Sequence, residues 1–414
     1  MKPPPHIALI AALLATQALL GAGSWCSGVS YVYDGADLGG GTYLLASGPL
    51  LLVGRLGAEV FNASGLSVYS LLAANDALIM GGEYLGRPFI GVVNVSGLMG
   101  GGSALAALTT YGVKGAVLKV SPCAGGYVGV GYVVVNGTYR ALLILHKGEQ
   151  PVARVLGCST PCYFRDAVAV NTSLLLLGGL AVRGSYTPLI VRYDLAEGVV
   201  SGYYIELRGV PSSAATPKGV AVLGEGYAAV SQYGDRILVL RVNGGVNALL
   251  VGGGVKHVVA KGFKNQLVAL GVSEGVTYLV TVSSEGLGCA ELPGRYVGIV
   301  SAGRASIKLV TSSLNVSGVL KPRDCSASTL RVKAVVRPVR LEELPTNYNV
   351  TGASLLLKGF PCPGGRARYT STTASYGPGY RSGYRAPQLP NPLPFIVGAL
   401  LVVAYFVLRV RATS

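Results

Sequence analysis

The stretch Asp166–Gly179, DAVAVNTSLLLLGG, decides the fold. Its first part, Ala167–Val170, alternates in the manner of a strand buried on one face. A polar turn follows at Asn171-Thr172-Ser173, and the apolar run Leu174–Leu177 then closes on two glycines. An uninterrupted apolar run of that length, bounded by turn residues, reads as a strand buried on both faces.

The same hairpin recurs along the chain. It is written as TYLLASGPLLLVG from Thr42, VYSLLAANDALIMGG from Val68 and GAVLKVSPCAGGYVGVG from Gly115. Further copies are GVAVLGEGYAAVS from Gly219, HVVAKGFKNQLVALG from His257 and VGIVSAGRASIKLVT from Val297. A third strand follows most of them: FIGVVNVSG at Phe89, RALLILHKG at Arg140, LIVRYDLAEG at Leu189, RILVLRVNGG at Arg236 and TYLVTVSSEG at Thr277. A fourth, outer strand is expected at Val152–Leu156, Tyr203–Leu207 and Ala248–Val251.

Most copies recur at the spacing of propeller blades. One such unit cannot hide its apolar faces alone, so the units are expected to stack radially and close on themselves. The expected fold is all-β, a seven-bladed β-propeller over residues 25–362, with six or eight blades as alternatives. Val29–Tyr33, Leu330–Val336 and Ser354–Leu357 are the strands expected to close the ring. The short step between the copies at Thr42 and Val68 predicts a first blade that is trimmed or shares strands.

The pairs Gly81-Gly82 and Gly178-Gly179, each after four apolar residues, resemble the kelch repeat. Arg192-Tyr193-Asp194-Leu195 is similar to that family's third strand. The resemblance covers two repeats, and it implies a propeller used mainly for binding.

Both ends of the chain read as membrane signals. Lys2 precedes the apolar run Ile7–Leu20, and small residues follow at Ala22-Gly23-Ser24, the pattern of a signal peptide over residues 1–24. Residues 363–391 are rich in Gly, Pro, Tyr and Arg without an acid, the composition of a disordered stalk. As a flexible coil such a stalk reaches about 30 Å. Leu393–Leu408 is uncharged and is followed by Arg409 and Arg411. A single transmembrane helix is expected over residues 392–410, with a cytoplasmic tail at 411–414. The tail is similar to that of surface proteins processed by archaeal sortase-like enzymes, without their recognition tripeptide. The reading is a single-pass cell-membrane protein with its bulk outside, and an archaeal source is expected.

The formal net charge is +16. No Lys/Arg run exceeds two residues, so a nucleic-acid footprint is not supported. An exported chain oxidises most of its seven cysteines, Cys26, Cys123, Cys158, Cys162, Cys289, Cys325 and Cys362. Cys158–Cys162 is the expected local bridge, with Cys123–Cys158 as its rival, and Cys26 is expected to join Cys325 or Cys362. Six of the twelve asparagines stand in N-X-S/T sequons: Asn62, Asn94, Asn136, Asn171, Asn315 and Asn349. Chance would place only about one or two, and all six fall at predicted turns or strand ends, so a glycoprotein is expected.

Catalytic groups are sparse. His146 and His257 each lack a second ligand at metal spacing. Asp34, Asp76, Asp166, Asp194 and Asp235 are the acids that separate blades could bring together for glycan chemistry, and Glu342-Glu343 is the only adjacent pair. No phosphate loop, nucleophile elbow or calcium loop occurs, so no cofactor or metal is expected. The expected function is a cell-surface binding or scaffold module for an envelope protein or glycan. An exported glycan hydrolase or lyase is the alternative.

Overall fold

A computed structural model describes residues 29–362, apart from 55–56, 148–150, 211–213, 304, 323, 326 and 347. The expected signal peptide, stalk, span and tail lie outside the described residues, as does Cys26. Among the described residues no helix is long and apolar enough to cross a membrane.

Over the described residues the chain is all-β and runs through seven antiparallel meanders. The first comprises β1 (Asp34–Gly39), β2 (Thr42–Ala46), β3 (Leu50–Val53) and β4 (Ala58–Asn62). The second comprises β5 (Leu66–Ala74), β6 (Ala77–Tyr84), β7 (Arg87–Asn94), the short helix α1 (Val95–Met99) and β8 (Ser103–Tyr111). The third has β9 (Gly115–Cys123), β10 (Gly126–Val135), β11 (Thr138–Lys147) and β12 (Pro151–Gly157). The fourth has β13 (Cys162–Val170), β14 (Ser173–Val182), β15 (Ser185–Asp194) and β16 (Gly198–Arg208). The fifth has β17 (Ala215–Leu223), β18 (Gly226–Tyr233), β19 (Arg236–Val242) and β20 (Val246–Val251). The sixth has β21 (His257–Phe263), β22 (Gln266–Val272), β23 (Val276–Ser283) and β24 (Leu287–Pro293). The seventh keeps three strands: β25 (Tyr296–Ala302), β26 (Ser306–Thr311) and β27 (Val316–Leu320).

The chain then returns along the outer strands. β28 (Thr329–Pro338) pairs with both β16 and β20, and β30 (Val350–Cys362) with both β4 and β8. Between them, β29 (Glu342–Leu344) adds to β12. Two nine-stranded sheets result, and each is nearly closed, because its end strands touch: β1 with β5, and β13 with β17. This corrects the ring-closing roles expected for Leu330–Val336 and Ser354–Leu357. Both segments bridge neighbouring outer edges, whose unpaired amides and carbonyls need a partner. Val29–Tyr33 forms no ladder strand. It lies against the seventh meander through Val29 N to Ser312 O (2.9 Å) and Val32 N to Val297 O (3.1 Å).

A second correction concerns the first meander. The copy read from Thr42 is β2 and β3, and the true first strand, DGADLG, precedes it. The meander is therefore complete, with its outer edge extended by β30.

The glycine signature has a steric cause. In β5, β9, β13 and β17 one extra residue bulges out of register: Tyr69, Leu118, Arg165 and Lys218. In the first three, the residue just before the bulge faces a glycine on the second strand: Gly82, Gly131 and Gly178. A Cβ at Gly178 would stand 2.0 Å from the Tyr163 carbonyl oxygen, and one at Gly131 would be 1.9 Å from that of Ala116. The bulge thus demands glycine opposite it.

Seven hydrophobic cores lie between neighbouring meanders. Leu174 and Leu176 face the third meander, in the core that holds Val128 and Leu143. Leu175 and Leu177 face the fifth, beside Val220 and Leu238. That division is why the run in β14 is apolar without interruption. Five further cores follow the same rule. The last of them packs Tyr43, Leu45 and Val60 of the first meander on Val297, Val300 and Val310 of the seventh. The first strands also touch in sequence, from β1 to β5 and onward to β25, which returns to β1. This arrangement is compatible with a propeller-type fold.

The cysteines settle in part as expected. Cys158 is bonded to Cys162, and Cys289 to Cys325. The Cys26–Cys325 alternative is therefore overturned, because Cys325 lies in a bridge beside β24 and reaches Cys289 there. The rival Cys123–Cys158 pairing also fails. Cys123 is a half-buried thiol whose pKa burial pushes up. Cys362 is disulfide-bonded.

Candidate functional site

The first strands of the meanders meet around a buried polar layer. Each is the free edge of its meander, so its amides beyond the bulge have no ladder partner. Side chains of neighbouring strands supply one. Asp34 Oδ2 accepts from Leu71 N (3.2 Å), Ser70 Oγ from Val120 N (3.0 Å) and Asp166 Oδ2 from Val220 N (2.8 Å). Leu71, Val120 and Val220 each stand two residues past the bulge of their strand, so one contact recurs in three of the meanders.

Lysines complete the layer. Lys119 Nζ donates to Asp34 Oδ2 at 2.7 Å and Lys261 Nζ to Asp34 Oδ1 at 2.8 Å. Lys261 also donates to the Gly35 carbonyl, and Ser70 Oγ donates to Asp34 Oδ2 at 3.0 Å. Burial alone would raise the Asp34 pKa, but the two ammonium groups outweigh it and hold the carboxyl well below its usual range. Asp166 goes the other way. Burial raises its pKa, and Lys119 with the amides of Val220 and Ala167 offsets only part of that. Lys119, between two carboxylates, is raised despite burial, whereas Lys261 is lowered by burial, which its contact with Asp34 only partly offsets.

Toward the C-terminal ends of the same strands a cavity of about 630 Å³ opens. Lys119 and Asp166 lie at its floor, Val168, Val220, Val222 and Phe263 line its wall, and Asn171, Lys264 and Asn265 stand at its rim.

The structure brings two of the five acid candidates, Asp34 and Asp166, into the layer. Asp76 is exposed in the turn between β5 and β6. Asp194 accepts from Ala196 N (2.8 Å) and Glu197 N (3.2 Å), and Asp235 from Gly254 N (3.0 Å), the turn-capping role common for Asp. Glu342 and Glu343 lie on the outer strand β29, paired with Arg340 and Arg154. His146 stacks on Tyr127 with ring centroids 4.3 Å apart. Among the described residues no three His, Cys, Asp or Glu side chains gather as a metal site. Sequence reasoning missed Ser70, Lys119 and Lys261. Lys119 and Lys261 are the only lysines of their otherwise largely apolar first strands, whereas Ser70 shares β5 with Ser67 and carries no such mark.

Five sequon asparagines, Asn62, Asn94, Asn136, Asn171 and Asn349, are exposed. Asn315 is half-buried, and its amide nitrogen donates to Ser313 Oγ at 3.1 Å. That nitrogen is the atom a sugar must join. Glycopeptide mass spectrometry of the chain from its native host is expected to find Asn315 the least occupied of the six.

No known protein-family pattern matches the sequence, and no curated protein matches it.

Proposed function

We propose that the chain is a seven-bladed, kelch-like propeller that serves as a binding or scaffold module on the cell surface, for an envelope protein or glycan. In this reading it is exported, glycosylated and held by a helix over residues 392–410. The seven meanders with seven shared cores support the ring, and the six sequons support export.

The observation that carries binding over turnover is the state of the central carboxylates. Asp34 is held by two lysines and Asp166 by two backbone amides, so both act as struts between strands. Loops on a rigid scaffold are then the working surface. One observation favours the second reading, an exported glycan hydrolase or lyase. Asp34 and Asp166 are displaced in opposite directions, as in an acid–base pair.

Incubating the full chain with envelope polysaccharide from its host separates the two. The binding reading expects retention on the polysaccharide, or cross-linking to one envelope protein in intact cells, without release of reducing ends. Release of reducing ends that Asp166→Asn abolishes would establish the enzyme instead.

A further inference from the structure

Toward the N-terminal ends of the first strands, on the other side of the polar layer, basic groups gather that no described carboxylate pairs with. Arg165 and Lys218 are the bulged residues of β13 and β17, two neighbouring strands in contact, so both leave the ring at the same level. His257 opens β21, the next strand. Tyr31, just before β1, lies beside Arg165 and His257, and His257 lies in the field of Lys218. The Tyr31 ring lies 5.9 Å from that of His257, its hydroxyl donates to the Val258 carbonyl (3.3 Å), and the positive charge of Arg165 acts on it.

Aromatic rings continue this wall. Tyr33 sits edge-on to Tyr31 with centroids 4.7 Å apart, and Tyr69, the bulged residue of β5, edge-on to Tyr33 at 5.0 Å. Among the described residues no ion pair joins Arg165, Lys218 or His257 to a carboxylate. The acids near this surface are Glu83, which acts on Tyr69, and the already paired Asp34 and Asp166 of the layer behind it.

An unpaired, half-buried ammonium beside a guanidinium is costly to keep charged. Burial, then Arg165, pulls Lys218 down to about 7. An anion seated between the two cations would remove that penalty and gain charge-assisted hydrogen bonds from both. Tyrosine faces beside such a seat suit the C–H face of a sugar ring, and their hydroxyls suit its own hydroxyl groups.

We propose that this end of the ring binds an acidic saccharide, with Arg165 and Lys218 holding its carboxylate or sulfate group, His257 at the rim and Tyr31, Tyr33 and Tyr69 flanking the sugar. The proposal rests on the binding reading above and names its ligand chemistry. It places that ligand away from the cavity whose rim carries the Asn171 sequon.

The test uses the full chain and three probes: sodium sulfate, an oligogalacturonide and a neutral oligosaccharide of equal length. Two readouts serve, calorimetric affinity and the rate at which the Lys218 amine is reductively methylated at pH 7. The oligogalacturonide is expected to slow methylation of Lys218, leaving exposed Lys333 unchanged, and to bind at least about tenfold more tightly than sulfate. Arg165→Gln and Lys218→Met should each weaken it at least about tenfold, whereas Lys333→Met should not. Methylation protection is measured on the unaltered protein, so it stands even where a variant fails to fold. Equal affinity for the neutral oligosaccharide, sulfate binding with no gain from the sugar, or an unprotected Lys218 would each overturn the assignment. If these fail while the chain is still retained on its envelope, only this site is lost; if retention also fails, the binding reading falls with it.

Discussion

Asp34→Ala is expected to lower unfolding stability by about 3–5 kcal/mol, the penalty for leaving buried charge without its partner. The carboxylate is nearly sealed from solvent and is shared by Lys119 and Lys261, which reach it from the third and sixth meanders. Its loss strands two ammonium groups and the Leu71 amide at once. Adding Lys261→Met should restore part of the loss, because one stranded charge goes with it. Urea unfolding of the four members of that cycle measures the coupling. A loss below about 1 kcal/mol for Asp34→Ala would place the layer in water.

The acid limb follows from the same contact. The folded pKa of Asp34 lies below its unfolded value, so its contribution is present above the unfolded pKa and is lost as pH falls through the folded one. The ion pair should therefore survive well below pH 4, and Asp34→Asn should flatten the stability profile there.

Gly178→Ala is the second large effect expected, at about 3 kcal/mol. Gly178 has no positive φ, so alanine is not excluded by its backbone. The cost comes from the Tyr163 carbonyl, which a methyl group would meet at 2.0 Å. Restoring the contact means undoing the bulge at Arg165, which moves Asp166 off the Val220 amide. Gly137→Ala is the control. Nothing lies within 4 Å of a Cβ there, but φ is +74°, so the expected cost is about 1–2 kcal/mol of backbone strain alone. Thermal or urea unfolding of the two variants should differ clearly. Equal losses would refute the steric reading of the glycine pairs.

The repeating hairpins were legible because most second strands carry a central run buried on both faces, bounded by turn residues. The third strands were legible from their apolar runs. β1 was not, because DGADLG carries two acids and no apolar run, and its pairing with β2 became plain only in three dimensions. The outer strands β28 and β30 were seen as strands but misassigned. Three of their four pairing partners lie more than a hundred residues away, and both faces of β28 are largely exposed.

The polar layer was half legible. Asp34 and Asp166 stood out as acids, but Lys119 and Lys261 sit 85 and 227 residues from Asp34, beyond any local pattern. The bulge that precedes Lys119 and Asp166 leaves no mark in its own strand. Only the glycine opposite, Gly131 or Gly178, betrays it.

The closed circuit of seven meanders is the claim on which the rest depends, and one contact tests it directly. Lys308 of the seventh meander reaches Asp37 of the first, Nζ to Oδ2, at 2.7 Å, across 271 residues of sequence. Both side chains are partly open to solvent, so a zero-length carbodiimide should join them as an amide found by mass spectrometry. The exposed Lys256–Glu274 pair, within reach in any local arrangement of β21 to β23, is the positive control. Closure predicts both links at low protein concentration; a Lys256–Glu274 link without the Asp37–Lys308 link would contradict it.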